Sequence, residues 1–318
     1  MKYEKYPFLN KPISRFIFGC DLNKMHQGED VSSLLDSIYD LGINTFDTAR
    51  GYGESEKVLS KWLKTKDREK IVVISKCCLP DKNNNNQDRL SIENIISDVN
   101  TSIKTLDTYI DILYLHRDNK LVPVKPIIDT LNTLIKEGKV KSLGVSNWKV
   151  DRIKEANDYA KENNLIGFSV SSPAYSLANM EYDYWKGGDG CVSIQGDNNL
   201  KERLFYKENK MPVFPYSSLG RGFFAGIYSS SDPRFKDSLK EETLKQYYYP
   251  VNINRLKKAE ELAKKHSCSV AQINFAFLLN QDFNCHPVVA TSNPSRMKEN
   301  IDSLNIKLTK EELDYLIH

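Results

Sequence analysis

Four side chains capable of acid–base chemistry fall at or just beyond the ends of three consecutive apolar runs. Asp47 stands near the end of residues 43–49, and Tyr52 follows in the turn Arg50-Gly51-Tyr52-Gly53. Lys76 comes at the end of the run that begins at Ile71, and His116 ends the run that begins at Ile110. A lysine emerging from apolar neighbours is expensive to desolvate alone. A nearby aspartate offsets that cost and holds the ammonium in place. A phenol beside the ammonium has its phenolate stabilised, so its pKa is expected to fall from about 10 toward the range of a working acid. A histidine opposite would hydrogen-bond and orient a substrate oxygen. Such a set can protonate a carbonyl oxygen while hydride reaches the carbon. Each residue also has a plainer role: a structural ion pair for Asp47 and Lys76, loop packing for Tyr52, a core position for His116. Their joint placement at successive run ends favours the chemical role.

Positioning them requires elements that bring those ends together. Eight short apolar runs read as strands: residues 16–20, 43–49, 71–77, 110–116, 140–146, 168–175, 212–217 and 287–292. Amphipathic stretches separate them, the pattern of repeated βα units around a parallel sheet. Asp30 is placed to cap a helix carrying Val31, Leu34, Leu35, Ile38 and Leu41, which Gly42 stops. Pro126 is expected to open another, burying Ile127, Leu131, Leu134 and Ile135 before Gly138. Thr309 and Glu312 have capping-box spacing for the last helix. The expected fold is α/β: a single-domain (β/α)₈ TIM barrel spanning residues 1–318, whose strand ends converge on one functional mouth. Residues 178–196 and 220–251 break the rhythm and predict long loops after strands six and seven, on that mouth. The asparagine-rich 83–86 reads as a solvated turn.

Formal charge is +3, from 45 Lys and Arg against 42 Asp and Glu. That balance argues against a nucleic-acid partner, which calls for a concentrated basic patch. The six cysteines show no zinc spacing, so no metal site is expected. Cys77 and Cys78 follow Lys76 and read as buried small residues. No apolar run is long enough to span a bilayer. MKYEKYPFLN lacks the apolar stretch of a secretory signal, and the expected location is cytoplasmic.

The segments Asn44-Thr45-Phe46-Asp47-Thr48-Ala49-Arg50-Gly51-Tyr52-Gly53, Ser75-Lys76 and Leu113-Tyr114-Leu115-His116 resemble the signature segments of the aldo-keto reductases. The resemblance implies a (β/α)₈ barrel in which Tyr52 donates the proton, Lys76 and Asp47 tune it, and His116 orients a small carbonyl substrate. Gly144-Val145-Ser146-Asn147 is similar to the family segment that holds the nicotinamide carboxamide, which implies that role for Ser146 and Asn147. Ser172 stands where the family usually has Gln, a departure that shortens the reach of that contact. The 215–222 segment resembles the one whose aromatic residue, here Tyr216, stacks on nicotinamide, with Ser217, Leu219 and Gly220 meeting the pyrophosphate. Residues 291–300 resemble the adenosine end, implying contacts from Ser292 and Asn300 and a 2′-phosphate contact from Arg296. A lysine that some members carry before this motif is Ala290 here. The implied cofactor is NADP, with NAD as the alternative.

Two other functions compete. Some barrels of this family bind nucleotide as regulatory or channel-associated subunits, with slow or no turnover. A strand-end lysine can also form a Schiff base in an aldolase, although an ion-paired lysine is a poor nucleophile. The substrate is expected to depend on the loops, on Asp21, Met25 and His26, and on Trp148 and Trp185.

Overall fold

The computed structural model describes residues 1–81, 87–184 and 189–318. An antiparallel hairpin comes first, β1 (Tyr3–Tyr6) and β2 (Leu9–Ser14). The seven parallel strands that follow are β3 (Ile17–Gly19), β4 (Thr45–Asp47), β5 (Val72–Cys77), β6 (Ile110–Leu115), β7 (Val140–Ser146), β8 (Val170–Ser172) and β9 (Val288–Val289). They hydrogen-bond in the order β8-β7-β6-β5-β4-β3-β9.

Residues 212–217 close the ring between β8 and β9. Val213 bridges Ser171 on one side and Cys285 on the other. Phe214 N donates to Ser171 O at 2.8 Å, and Val288 N donates to Pro215 O at 3.0 Å. Pro212 and Pro215 lack N–H groups, so the segment pairs with both neighbours without building a continuous ladder. The eight expected runs thus form a closed (β/α)₈ barrel.

Side-chain alternation then sorts the strands into two layers. Phe18, Phe46, Val73, Leu113, Leu143 and Val145 pack outward against the helices. Ile17, Val72, Ile74, Ile112, Tyr114, Val170 and Phe214 fill the interior with Leu9 and Ile13 of the hairpin. Gly144 leaves room for the Tyr114 ring: a Cβ there would come within 2.4 Å of it. The hairpin was not among the expected strands, because β1 reads Tyr-Glu-Lys-Tyr with alternately exposed and half-buried side chains and so shows no apolar run.

Helices cover the outside. After a short helix, α1 (Asn23–His26), the first barrel helix, α2 (Ser32–Asp40), starts two residues after Asp30, whose carboxylate accepts from Ser32 N at 2.9 Å. The fourth barrel helix (Val124–Lys136) starts two residues before Pro126, and Gly138 follows it at φ 75°. The last helix (Lys310–Ile317) has both arms of the expected capping box between Thr309 and Glu312. The stretch 220–251 is not one loop. It carries short helices Arg234–Asp237 and Glu241–Tyr247, and Pro250 begins the long helix Pro250–Lys265. Residues 83–86 and Trp185 lie outside the described residues.

Candidate active site

The inward alternation carries past the packed layer to the strand ends. Asp47 follows Thr45 on the inner face of β4, Lys76 follows Ile74 on β5, and His116 follows Tyr114 beyond β6. All three are at least nine-tenths buried. The Lys76 ammonium contacts the Asp47 carboxylate and donates to Thr48 O at 2.9 Å. Burial alone would lower the Lys76 pKa, but Asp47 and Tyr52 outweigh it and hold the lysine above its ordinary value.

Tyr52 reaches this group from the turn after β4. Gly53 makes the turn possible, with φ at 55° and His26 O only 2.7 Å from where a Cβ would stand. The Lys76 ammonium lies 4.9 Å from the Tyr52 ring centroid. The His116 ring stands edge-on to it, with centroids 5.9 Å apart. Asp47, Tyr52, Lys76 and His116 therefore form one cluster at the barrel mouth.

The phenol corrects one expectation. Burial pushes the Tyr52 pKa up to about 12, against the pull of Lys76. Desolvation of the phenolate exceeds the stabilisation that one ammonium provides. Tyr52 therefore holds its proton at neutral pH, and the ammonium remains placed to stabilise the anion left when that proton departs.

On the far side, β7 and β8 pair Ser146 with Ser172. Ser146 Oγ donates to Ser172 O at 3.0 Å. The Asn147 amide nitrogen donates to Ser146 Oγ at 2.9 Å and to His116 O at 3.4 Å. Its amide oxygen accepts from Tyr216 OH at 2.6 Å and from Val192 N at 3.1 Å. Ser146, Asn147, Ser172 and Tyr216 are thus brought together, and Asn147 is already satisfied by the chain's own groups. A carboxamide would have to exchange with those contacts.

Beyond Tyr216, the chain turns through left-handed conformations at Ser217, Gly220, Arg221 and Gly222. Leu219 is half-buried in this turn. The turn is tied to the eighth strand by Ser218 Oγ, which donates to Val288 O at 3.1 Å. After β9, Asn293 caps the helix Pro294–Asp302 by accepting from Ser295 N at 2.9 Å and Arg296 N at 3.4 Å. Ser292 and Arg296 are exposed and Asn300 is buried. The Arg296 guanidinium forms no ion pair among the described residues. Small residues with left-handed backbone and an unpaired cation fit the phosphates of a dinucleotide.

Several other expectations resolve here. Met25 is fully buried, so it lines no pocket. His26 stacks on Tyr52 with centroids 5.7 Å apart, and its Nε2 lies 2.8 Å from Asp21. Trp148 is also fully buried, edge-on to Phe168 at 5.2 Å, so it is core and not a substrate wall. Cys77 and Cys78 are buried as expected. Among the described residues, no group of three or more His, Cys, Asp and Glu could hold a metal ion. No described helix is long and apolar enough to cross a membrane.

Sequence reasoning passed over Arg117. It directly follows His116 and is only 8% exposed. A charged residue immediately after an apolar run that ends in a candidate catalytic histidine was the available signal.

Comparisons with known proteins agree with this architecture. A thermostable aldo-keto reductase, Tm1743, solved with the inhibitor epalrestat, superposes with a TM-score of 0.71 at 20% identity, covering 99% of this chain and 98% of that one. A putative aryl-alcohol dehydrogenase of Saccharomyces cerevisiae is 29% identical over 314 residues, covering 90% of this chain and 85% of the relative. A versiconal hemiacetal acetate reductase of Aspergillus parasiticus is 26% identical, covering 99% of this chain and 96% of the relative. The model of the Aldo/keto reductase family matches residues 21–317, and the chain belongs to that family.

Proposed function

We propose that this oxidoreductase reduces an aldehyde or ketone to an alcohol, with NADPH as the preferred hydride source, NADH as the alternative, and Tyr52 as the proton donor. The observation that carries the proposal is the cluster itself. A protonated phenol at the mouth lies beside an ammonium that a buried carboxylate holds charged.

A bound reduced nicotinamide would supply the hydride that attacks the carbonyl carbon. The chain's own residues do the rest. His116 orients the substrate oxygen toward Tyr52. The Tyr52 hydroxyl transfers its proton to that oxygen as negative charge develops there. Lys76 stabilises the resulting phenolate, and Asp47 keeps Lys76 protonated and in place. This fixed charge also argues against Schiff-base chemistry, which needs a neutral lysine. Ser146, Asn147 and Ser172 would hold the carboxamide, and Tyr216 would pack on the ring. Ser217, Leu219 and Gly220 would meet the pyrophosphate. Ser292, Arg296 and Asn300 would meet the adenosine end, with Arg296 on the 2′-phosphate.

The names of the relatives suggest aromatic alcohols and aldehydes as the first substrates to try. The test is steady-state oxidation of NADPH and of NADH with a panel of aromatic aldehydes, quinones and sugars. Turnover with at least one carbonyl and a lower KM for NADPH are expected. Nucleotide binding without turnover on any of them would refute the proposal and favour a regulatory subunit.

A further inference from the structure

Beside the tetrad, the buried Arg117 carries a charge that the fold leaves unbalanced. Its Nη1 donates to His116 O at 3.1 Å, and its Nη2 to the Cys191 sulfur at 3.3 Å. Its Nε is buried with no hydrogen-bond partner. Arg117 makes no ion pair among the described residues, and residues 82–86 and 185–188 contain no acid.

The other buried arginines are better satisfied. Arg152 pairs with Asp118 at 3.4 Å, and Arg255, which has no ion pair among the described residues either, donates to three oxygens, Leu177 O, Asn179 Oδ1 and Ile317 O. The nearby carboxylate of Asp183 accepts from Cys191 N at 2.8 Å. One carbonyl and one thiol are a poor acceptor set for five N–H donors. A guanidinium removed from water without an anion is strongly destabilising unless an anion completes it.

Its place indicates which anion. Arg117 is the next residue after His116 and touches Cys191, whose neighbour Val192 donates to the Asn147 amide oxygen that Tyr216 OH also meets. The guanidinium therefore stands beside the group formed by His116, Asn147 and Tyr216. Resting on carbonyl reduction at Tyr52, we propose that Arg117 is a specificity residue that binds a carboxylate on the carbonyl substrate. The substrate class is then an aldehyde or ketone bearing a carboxylate. The planar fork of arginine suits two parallel hydrogen bonds to that group.

The probe pair is 4-carboxybenzaldehyde and its neutral counterpart, methyl 4-formylbenzoate. The expected result is a kcat/KM at least about tenfold higher for the acid, expressed mainly in KM. Arg117→Met should erase that ratio whatever happens to the absolute rates, and Arg117→Lys should restore part of it. Binding of benzoate, followed by calorimetry, should weaken in Arg117→Met by a similar factor and gives a readout independent of turnover. Equal kcat/KM for acid and ester in the unmodified enzyme, or an unchanged ratio in Arg117→Met, would overturn the proposal while leaving carbonyl reduction standing. If neither aldehyde is reduced, the carbonyl-reductase reading fails instead, and benzoate binding alone decides the role of Arg117: weaker binding in Arg117→Met supports it and unchanged binding overturns it.

Discussion

At the scale of single residues, the chemistry depends on which charges are paired and which are not. Arg296 is exposed at the start of a helix whose cap is already supplied by Asn293. Its cation is thus available to a 2′-phosphate. Arg296→Ala should weaken NADPH binding at least about tenfold and leave NADH binding nearly unchanged, as measured by quenching of protein fluorescence. Equal losses for both nucleotides would remove the phosphate contact. The Tyr52 phenol, raised to about 12, predicts that proton donation does not limit reduction anywhere in the neutral range. The kcat for reduction should show no Tyr52-dependent fall between pH 7 and 10. All four tetrad residues were legible because their types and strand-end positions are specific. Arg117 was not, since an isolated arginine reads as an ordinary surface charge until its burial is known. The pKa direction was also missed. A sequence shows that an ammonium is near a phenol, but not how much water both have lost.

At the scale of elements, strand alternation does the positioning. Seven expected strands were placed within a few residues because their apolar runs are buried on both faces. The segment 212–217 was placed correctly but is an interrupted strand, since its prolines cannot donate. Loops and the hairpin were harder to read. The 220–251 stretch looks polar because each of its short helices buries a single apolar side chain, Phe235 in one and Tyr247 in the other. The closed lower end offers its own test. Asp111 is fully buried, pairs with Lys11 at 2.9 Å and with Arg68 at 2.7 Å, and accepts from Val73 N at 2.8 Å. Asp111→Ala strands two cations against the strands and should cost about 3–5 kcal/mol in urea unfolding. A loss under about 1 kcal/mol would mean that water replaces the carboxylate freely.

At the scale of the whole molecule, the hairpin and the eighth strand seal the end of the barrel opposite the site. His286 lies fully buried there, within 3.0 Å of Ser14 O through Nδ1 and 2.7 Å of Tyr6 OH through Nε2. Burial depresses its pKa to about 3, aided by Arg15. The unfolded chain then binds one more proton than the folded chain between about pH 6.5 and 3. Stability from this group is complete above that window and declines as pH falls through it, by about 1.4 kcal/mol per pH unit. His286→Asn should remove this dependence. Between pH 6.5 and 5 the unmodified protein should lose about 2 kcal/mol more than the variant in urea unfolding. Parallel curves would show that His286 is protonated in the fold.

The central claim is that the Tyr52 phenol protonates the carbonyl oxygen from a nucleotide-loaded barrel. It is tested most directly by comparing the unmodified enzyme with Tyr52→Phe in NADPH oxidation by an aromatic aldehyde, with NADPH binding followed in the same samples. The account predicts a fall in kcat of at least about a hundredfold with nucleotide affinity retained. Undiminished turnover in Tyr52→Phe would contradict it.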